Sequence, residues 1–87
     1  MQIEGATVSE QTALVLFNLE TVLKAAGCDR SSVLKTSVFL KNLADFENMN
    51  KAYETFFGEH KPSRTTVEVS RLPKDALVEI ECIAETR

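Results

Sequence analysis

Glycine, cysteine and histidine are scarce in this chain, and each scarcity removes a class of chemistry. Three glycines among 87 residues leave no glycine-rich loop of the kind that cradles phosphate. Two cysteines, Cys28 and Cys82, make neither a disulfide framework nor a CxxC pair. His60 is the single histidine, so a zinc site would lack soft ligands, and a Ser-His-Asp or Cys-His apparatus would rest on that residue alone. It sits in Gly58-Glu59-His60-Lys61-Pro62, a loop, where exposure is the expectation. No apolar run approaches the roughly 20 residues of a membrane-spanning helix, so no membrane is expected. A basic excess is missing as well. The net charge of -3 argues against nucleic acid as the main partner, because phosphate binding calls for a basic surface. Met1-Gln2-Ile3-Glu4-Gly5 has neither the basic start nor the apolar block of a signal peptide. The expected location is the cytoplasm, with a mitochondrial one as the alternative.

What is present fits one small globular domain. Hydrophobic residues make up 44% and charged residues 26%, enough for a core but a modest one at this length. Oligomerisation would add to that core. Thr7-Val8-Ser9-Glu10 fits a capping box, and a helix follows to about Ala26. Val15, Leu16, Leu19, Val22, Leu23 and Ala26 form its apolar stripe, widened by Leu14 and Phe17, and Gly27 stops it. Val33 to Lys41 reads as a strand with Leu34, Thr36, Val38 and Leu40 on one face. Phe39 stands on the other, polar face, as a subunit contact or the wall of a site. A second helix runs from about Asp45 to Phe57, capped by Asn42 or Asp45, with Phe46, Met49, Ala52, Tyr53, Phe56 and Phe57 inward.

The stretch Pro62 to Ala84 is the one with chemical content. Two alternating runs flank Leu72-Pro73-Lys74-Asp75, the pattern of strands joined by a turn. Thr65, Val67, Val69 and Arg71 share one face of the first run; Val78, Ile80, Cys82 and Ala84 share one face of the second, which makes Cys82 a buried thiol. If those apolar faces align in an antiparallel pair, the opposite face collects Arg64, Thr66, Glu68, Ser70, Glu79 and Glu81. A guanidinium can grip a carboxylate with two parallel hydrogen bonds, and a neighbouring carboxylate can move protons. An ordinary solvated sheet face with cross-strand charge pairs gives the same pattern. The order helix, strand, helix, strand, strand makes an α+β domain, with two helices on one face of a sheet.

The residues also resemble a known family. Val38-Phe39-Leu40-Lys41-Asn42, Asp45-Phe46, Met49-Asn50, Tyr53, Phe56-Phe57, Pro62-Ser63-Arg64, Leu72-Pro73-Lys74-Asp75 and Val78-Glu79-Ile80-Glu81-Cys82-Ile83-Ala84 are similar to the Rid (YjgF) family, above all its RidA branch. Gln11, Asn18-Leu19 and Ala25-Ala26-Gly27 fit it too. The resemblance implies a chorismate-mutase-like fold in a homotrimer with clefts between subunits. It implies an enzyme that hydrolyses reactive 2-imino acids, or their enamine tautomers, to 2-oxo acids and ammonia, without metal or cofactor. These imines leak from pyridoxal-phosphate enzymes, so the role is control of metabolite damage. The partner would be a small 2-imino or 2-oxo acid.

By the same resemblance Arg64 holds the substrate carboxylate, Glu79 activates the attacking water, and Thr66 stands where the family often has cysteine. Glu81 is a second candidate base. The family also has an N-terminal β segment before the first helix, whereas this chain starts almost at the helix. The reading is therefore one Rid-like domain over 1–87, shortened at its N-terminus. A non-catalytic carboxylate-binding or regulatory trimer is the alternative. Translation inhibition or RNA cleavage, described for some relatives, has less support from this composition.

Overall fold

The structure, a computed structural model, describes residues 7–86. Met1 to Gly5, read above for a leader pattern, lie outside them. α1 (Val8–Ala25) begins at the expected cap. Thr7 Oγ1 accepts the Glu10 N–H while Glu10 Oε1 accepts the Thr7 N–H. Gly27 closes the helix at φ 81°, a conformation that any side chain disfavours. The stripe is only partly the expected one. Leu16 and Leu23 are buried and Val15 and Leu19 half-buried, but Phe17 and Val22 face outward and are each 65% exposed. Thr12 and Gln11 take the inward places. Both polar side chains are satisfied there: Thr12 donates to Val8 O, and Gln11 Oε1 accepts the Leu77 N–H at 2.8 Å.

β1 (Val33–Leu40) follows a 3-10 turn at Arg30–Ser32. Thr36, Val38 and Leu40 are buried as alternation requires, whereas Leu34, expected beside them, is 54% exposed. A bulge between Val33 and Lys35 shifts the pairing at that end and puts Val33 inward instead. α2 (Phe46–Phe57) buries Met49, Tyr53 and Phe57, with Phe46, Ala52 and Phe56 half-buried. A 3-10 turn at Leu43–Asp45 precedes it, and Asn42 is the residue that caps, accepting the Ala44 N–H. Asp45 makes no capping bond.

β2 (Ser63–Glu68) and β3 (Val78–Ala84) complete the expected order, and two helices pack on a three-stranded mixed sheet. The α+β architecture holds, but the expected hairpin does not form. The strand order is β2-β1-β3, with β1 parallel to β2 and antiparallel to β3. β1 takes the centre because its inward row is fully buried and it can pair along both edges. The connection 69–77 therefore crosses the end of β1: Val69 N–H donates to Leu40 O, and Lys41 N–H donates to Leu77 O. A connection of this length climbs over a strand, where a hairpin uses only a few residues. Its 3-10 turn, Pro73–Asp75, places Lys74 and Asp75 at φ 58° and 55°.

The register also reverses the expected faces of β2. Thr36, Val38 and Leu40, which lie under the helices, pair with Arg64, Thr66 and Glu68. Across the other edge the same three pair with Cys82, Ile80 and Val78. Residues opposite each other in a sheet share a face. Arg64 and Thr66 thus face the helices, and Thr65 and Val67 join Ser37, Phe39, Glu79 and Glu81 on the open face. Val67, expected in the core, is 40% exposed. β2 is an edge strand with one large aliphatic residue, so its own pattern carried too little apolar area to decide which side turns inward. Val78 and Ile80 in β3 carry enough, and they are buried as expected.

Candidate functional site

Arg64 is the residue that α2 holds in place. Its guanidinium lies over the Tyr53 ring at 4.7 Å and the Phe46 ring at 5.2 Å, and Nη1 donates to Asn50 Oδ1. Phe46, Asn50 and Tyr53 sit four and three residues apart on the helix, so they form one face that meets the edge strand. Each such ring contact contributes about 0.5–1 kcal/mol or more when desolvated. The Tyr53 hydroxyl is itself fixed, bonded to Thr36 Oγ1 at 2.7 Å in the buried interior. Tyr53→Phe is expected to leave that threonine hydroxyl unpaired and lower stability by about 1–3 kcal/mol, read as a lower urea midpoint at constant slope.

Arg30 shows what a purely structural arginine does in the same molecule. It pairs with Glu20 at 2.7 Å, donates to Phe56 O and stacks on the Phe56 ring at 4.3 Å. Its charge is matched and its donors are engaged. Arg64, among the described residues, has no carboxylate partner and one side-chain acceptor, Asn50. A guanidinium has five N–H donors, so most of Arg64's remain available to a ligand.

Beside it lies a cavity of about 260 Å³ between α2, the loop 58–62 and the start of β2, lined by Asn50, Tyr53, Phe57, His60 and Arg64 among others. His60 is half-buried, where the sequence suggested an exposed loop position. Its Nε2 lies 2.7 Å from Val33 O. A carbonyl only accepts, so Nε2 carries the proton of that bond. Thr66, the next inward residue after Arg64, has a buried Oγ1 without a hydrogen-bond partner. Such orphaned hydroxyls are uncommon in protein interiors. Among the described residues no three histidine, cysteine or acidic side chains cluster in a way that could hold a metal.

The Endoribonuclease L-PSP family model matches residues 1–86. The chain belongs to this family. It is 49% identical over 83 residues to the RutC family protein PH0854 of Pyrococcus horikoshii, a match covering 95% of this chain and 66% of the relative. It is 46% identical over 85 residues to the 2-iminobutanoate/2-iminopropanoate deaminase of Escherichia coli, covering 94% and 66%. The crystal structure of E. coli TdcF with bound serine superposes with a TM-score of 0.88 at 42% identity, covering 92% of this chain and 65% of that one. The chain thus spans 66% of the length of these two curated relatives. The Rid resemblance read from the motifs is borne out by these matches.

In this L-PSP family chain the structure brings Arg64 and Thr66 together but not Glu79. Glu79 is exposed on the open face, opposite Phe39, and β1 separates its strand from β2. Two strand spacings, about 9–10 Å, and the thickness of the sheet lie between them. The single face expected for Arg64, Thr66 and Glu79 is therefore not formed within one chain. Glu81 lies on the open face too, opposite Ser37. Cys82 is half-buried, and Cys28 is the buried cysteine; both are free. Burial, and then the neighbouring Cys28, push the Cys82 thiol up, which keeps it protonated and a poor nucleophile. Asn50 was visible beforehand only as part of the family-like Met49-Asn50 motif. Its place beside Arg64 depends on the helix docking against the edge strand.

Proposed function

We infer that the chain hydrolyses small reactive 2-imino acids to 2-oxo acids and ammonia. The observation that carries this reading is Arg64: a guanidinium seated on two rings, without an ion-pair partner among the described residues, at a cavity of about 260 Å³. Two parallel N–H donors take the substrate carboxylate and fix the imine carbon. Water adds to that carbon and a proton passes to nitrogen, giving a carbinolamine. The C–N bond then breaks, ammonia leaves with the proton from the hydroxyl, and the carbonyl forms. No electrons are exchanged, so the sequence of steps needs no cofactor. The E. coli relative named a 2-iminobutanoate/2-iminopropanoate deaminase and the TdcF structure with bound serine support a carboxylate-bearing ligand of this size.

Glu79 enters as the general base that prepares the water. Its place on the open face keeps it from a ligand held by Arg64 of the same chain. The proposed assembly is a homotrimer in which a cleft joins Arg64 and Thr66 of one subunit to Glu79 of the next. Closing that interface would also cover Phe39 and Val67, apolar residues on the open face.

The test is imine hydrolysis by the 87-residue protein. 2-Iminobutanoate is generated in situ by threonine dehydratase, and the remaining imine is trapped with semicarbazide. Faster loss of imine is expected. A folded protein that binds 2-oxobutanoate without speeding that loss would instead be a ligand-holding or regulatory protein. Cleavage of RNA by the same sample with the imine untouched would overturn the reading in favour of the activity in the family's description.

A further inference from the structure

The open face of the sheet carries a cavity of its own. It has a volume of about 320 Å³ and is lined by Lys35, Ser37, Glu81, Cys82 and Ile83. The pairing of β1 with β3 explains why these residues meet. Lys35 stands opposite Ile83 and Ser37 opposite Glu81, so these four share the face that the helices leave open. Lys35 and Glu81 are diagonal neighbours in that pairing. Diagonal side chains start about 7–8 Å apart, within reach of each other when they are long. Among the described residues, however, neither the Lys35 ammonium nor the Glu81 carboxylate has an ion-pair partner. Ile83, 61% exposed, gives the cavity an apolar wall.

We propose that this cavity is a second ligand site, for a free α-amino acid with an apolar side chain. The Lys35 ammonium takes its carboxylate, the Glu81 carboxylate takes its ammonium, the Ser37 hydroxyl donates to its carboxylate, and Ile83 packs against its side chain. Arg64 has no part in this site, because it faces the helices on the other side of the sheet. Energetics favour a ligand over a direct pair. An exposed Lys–Glu pair is worth only about 0–1 kcal/mol, so little is lost when a zwitterion comes between the two. The zwitterion meets both charges at once through charge-assisted hydrogen bonds. A simple anion or a simple amine satisfies one charge and leaves the other in water. The position is compatible with the assembly proposed above. Phe39, which that assembly would cover, lies four residues, about 13 Å, along β1 from Lys35.

The experiment titrates the full chain, labelled with nitrogen-15, with L-norvaline and follows the backbone amide resonances. Two controls each lack one charge: pentanoate has no ammonium and butylamine no carboxylate. Norvaline is expected to shift the amides of Ser37, Glu81 and Ile83. The affinity read at those amides should be about tenfold higher for norvaline than for either control. Lys35→Met and Glu81→Gln, both at exposed positions, should each weaken norvaline by about tenfold with the rest of the spectrum unchanged. Arg64→Ala should leave its affinity within about twofold. Equal affinity for pentanoate and norvaline at these amides would reduce the site to an anion contact on Lys35 and overturn the proposal. Shifts confined to Asn50 and Tyr53, and lost in Arg64→Ala, would assign the amino acid to the Arg64 cavity and overturn it as well, while leaving the carboxylate clamp standing. The absence of any shift with norvaline would make the open face an ordinary solvated one.

Discussion

Arg64→Ala is expected to lower kcat/KM for imine hydrolysis by about a hundredfold or more, while the protein stays folded. The reasoning is asymmetric. The guanidinium contributes two ring contacts and one bond to Asn50 in the free protein, half-exposed at a sheet edge. Losing these costs stability only about 1–2 kcal/mol. In the proposed reaction the same side chain would supply the paired donors and the charge that hold the carboxylate, and truncation would leave that carboxylate without a partner. Arg64→Lys keeps the charge but not the planar fork, so it should fall between the two. Circular dichroism confirms folding, and steady-state rates give the ratio. A kcat/KM for Arg64→Ala within about threefold of wild type would remove Arg64 from the site.

Mixing two inactive variants is expected to restore activity. Glu79→Gln should reduce kcat by about a hundredfold or more, the scale of a missing general base. Its carboxylate is exposed on the open face, so stability should move by no more than about 0.5 kcal/mol. Arg64→Ala fails for the other half of the cleft. If Arg64 and Glu79 act from neighbouring subunits, trimers refolded together from equal amounts of the two variants contain intact clefts. A cleft needs Arg64 from a Glu79→Gln subunit and Glu79 from an Arg64→Ala subunit, which random assembly supplies in about a quarter of cases. Activity near that fraction of wild type supports a shared site. No recovery from variants that sedimentation shows to be trimeric would place both residues in one subunit and contradict the separation that β1 imposes.

The elements and the pieces of the site differed in how much their own residues revealed. The Thr7–Glu10 cap, the Gly27 stop and the aromatic stripe of α2 were legible because the interactions that make them lie within a few residues of each other. β3 was legible because Val78 and Ile80 carry enough apolar area to fix their face. α1 was misread at Phe17 and Val22, since two polar residues take inward places: Gln11 accepts the N–H of Leu77, a partner that only the folded chain supplies, and Thr12 bonds back to Val8 O within the helix. In β2, a single large aliphatic residue left the face open, and Arg64 was assigned to the wrong side. The arginine faces inward because α2 offers rings and an amide oxygen that satisfy it there. A charged side chain can lie against apolar surface when its head finds such partners.

The sequence by itself determined the element order, the α+β class and the family, because caps, periodicities and motifs are written in neighbouring residues. The tertiary structure decided three things: that β1 separates β2 from β3, that Arg64 and Glu79 stand on opposite faces, and that His60 bonds to the start of β1. Each depends on which strand edges pair, a choice governed by the burial of β1 and by contacts between residues far apart in the chain.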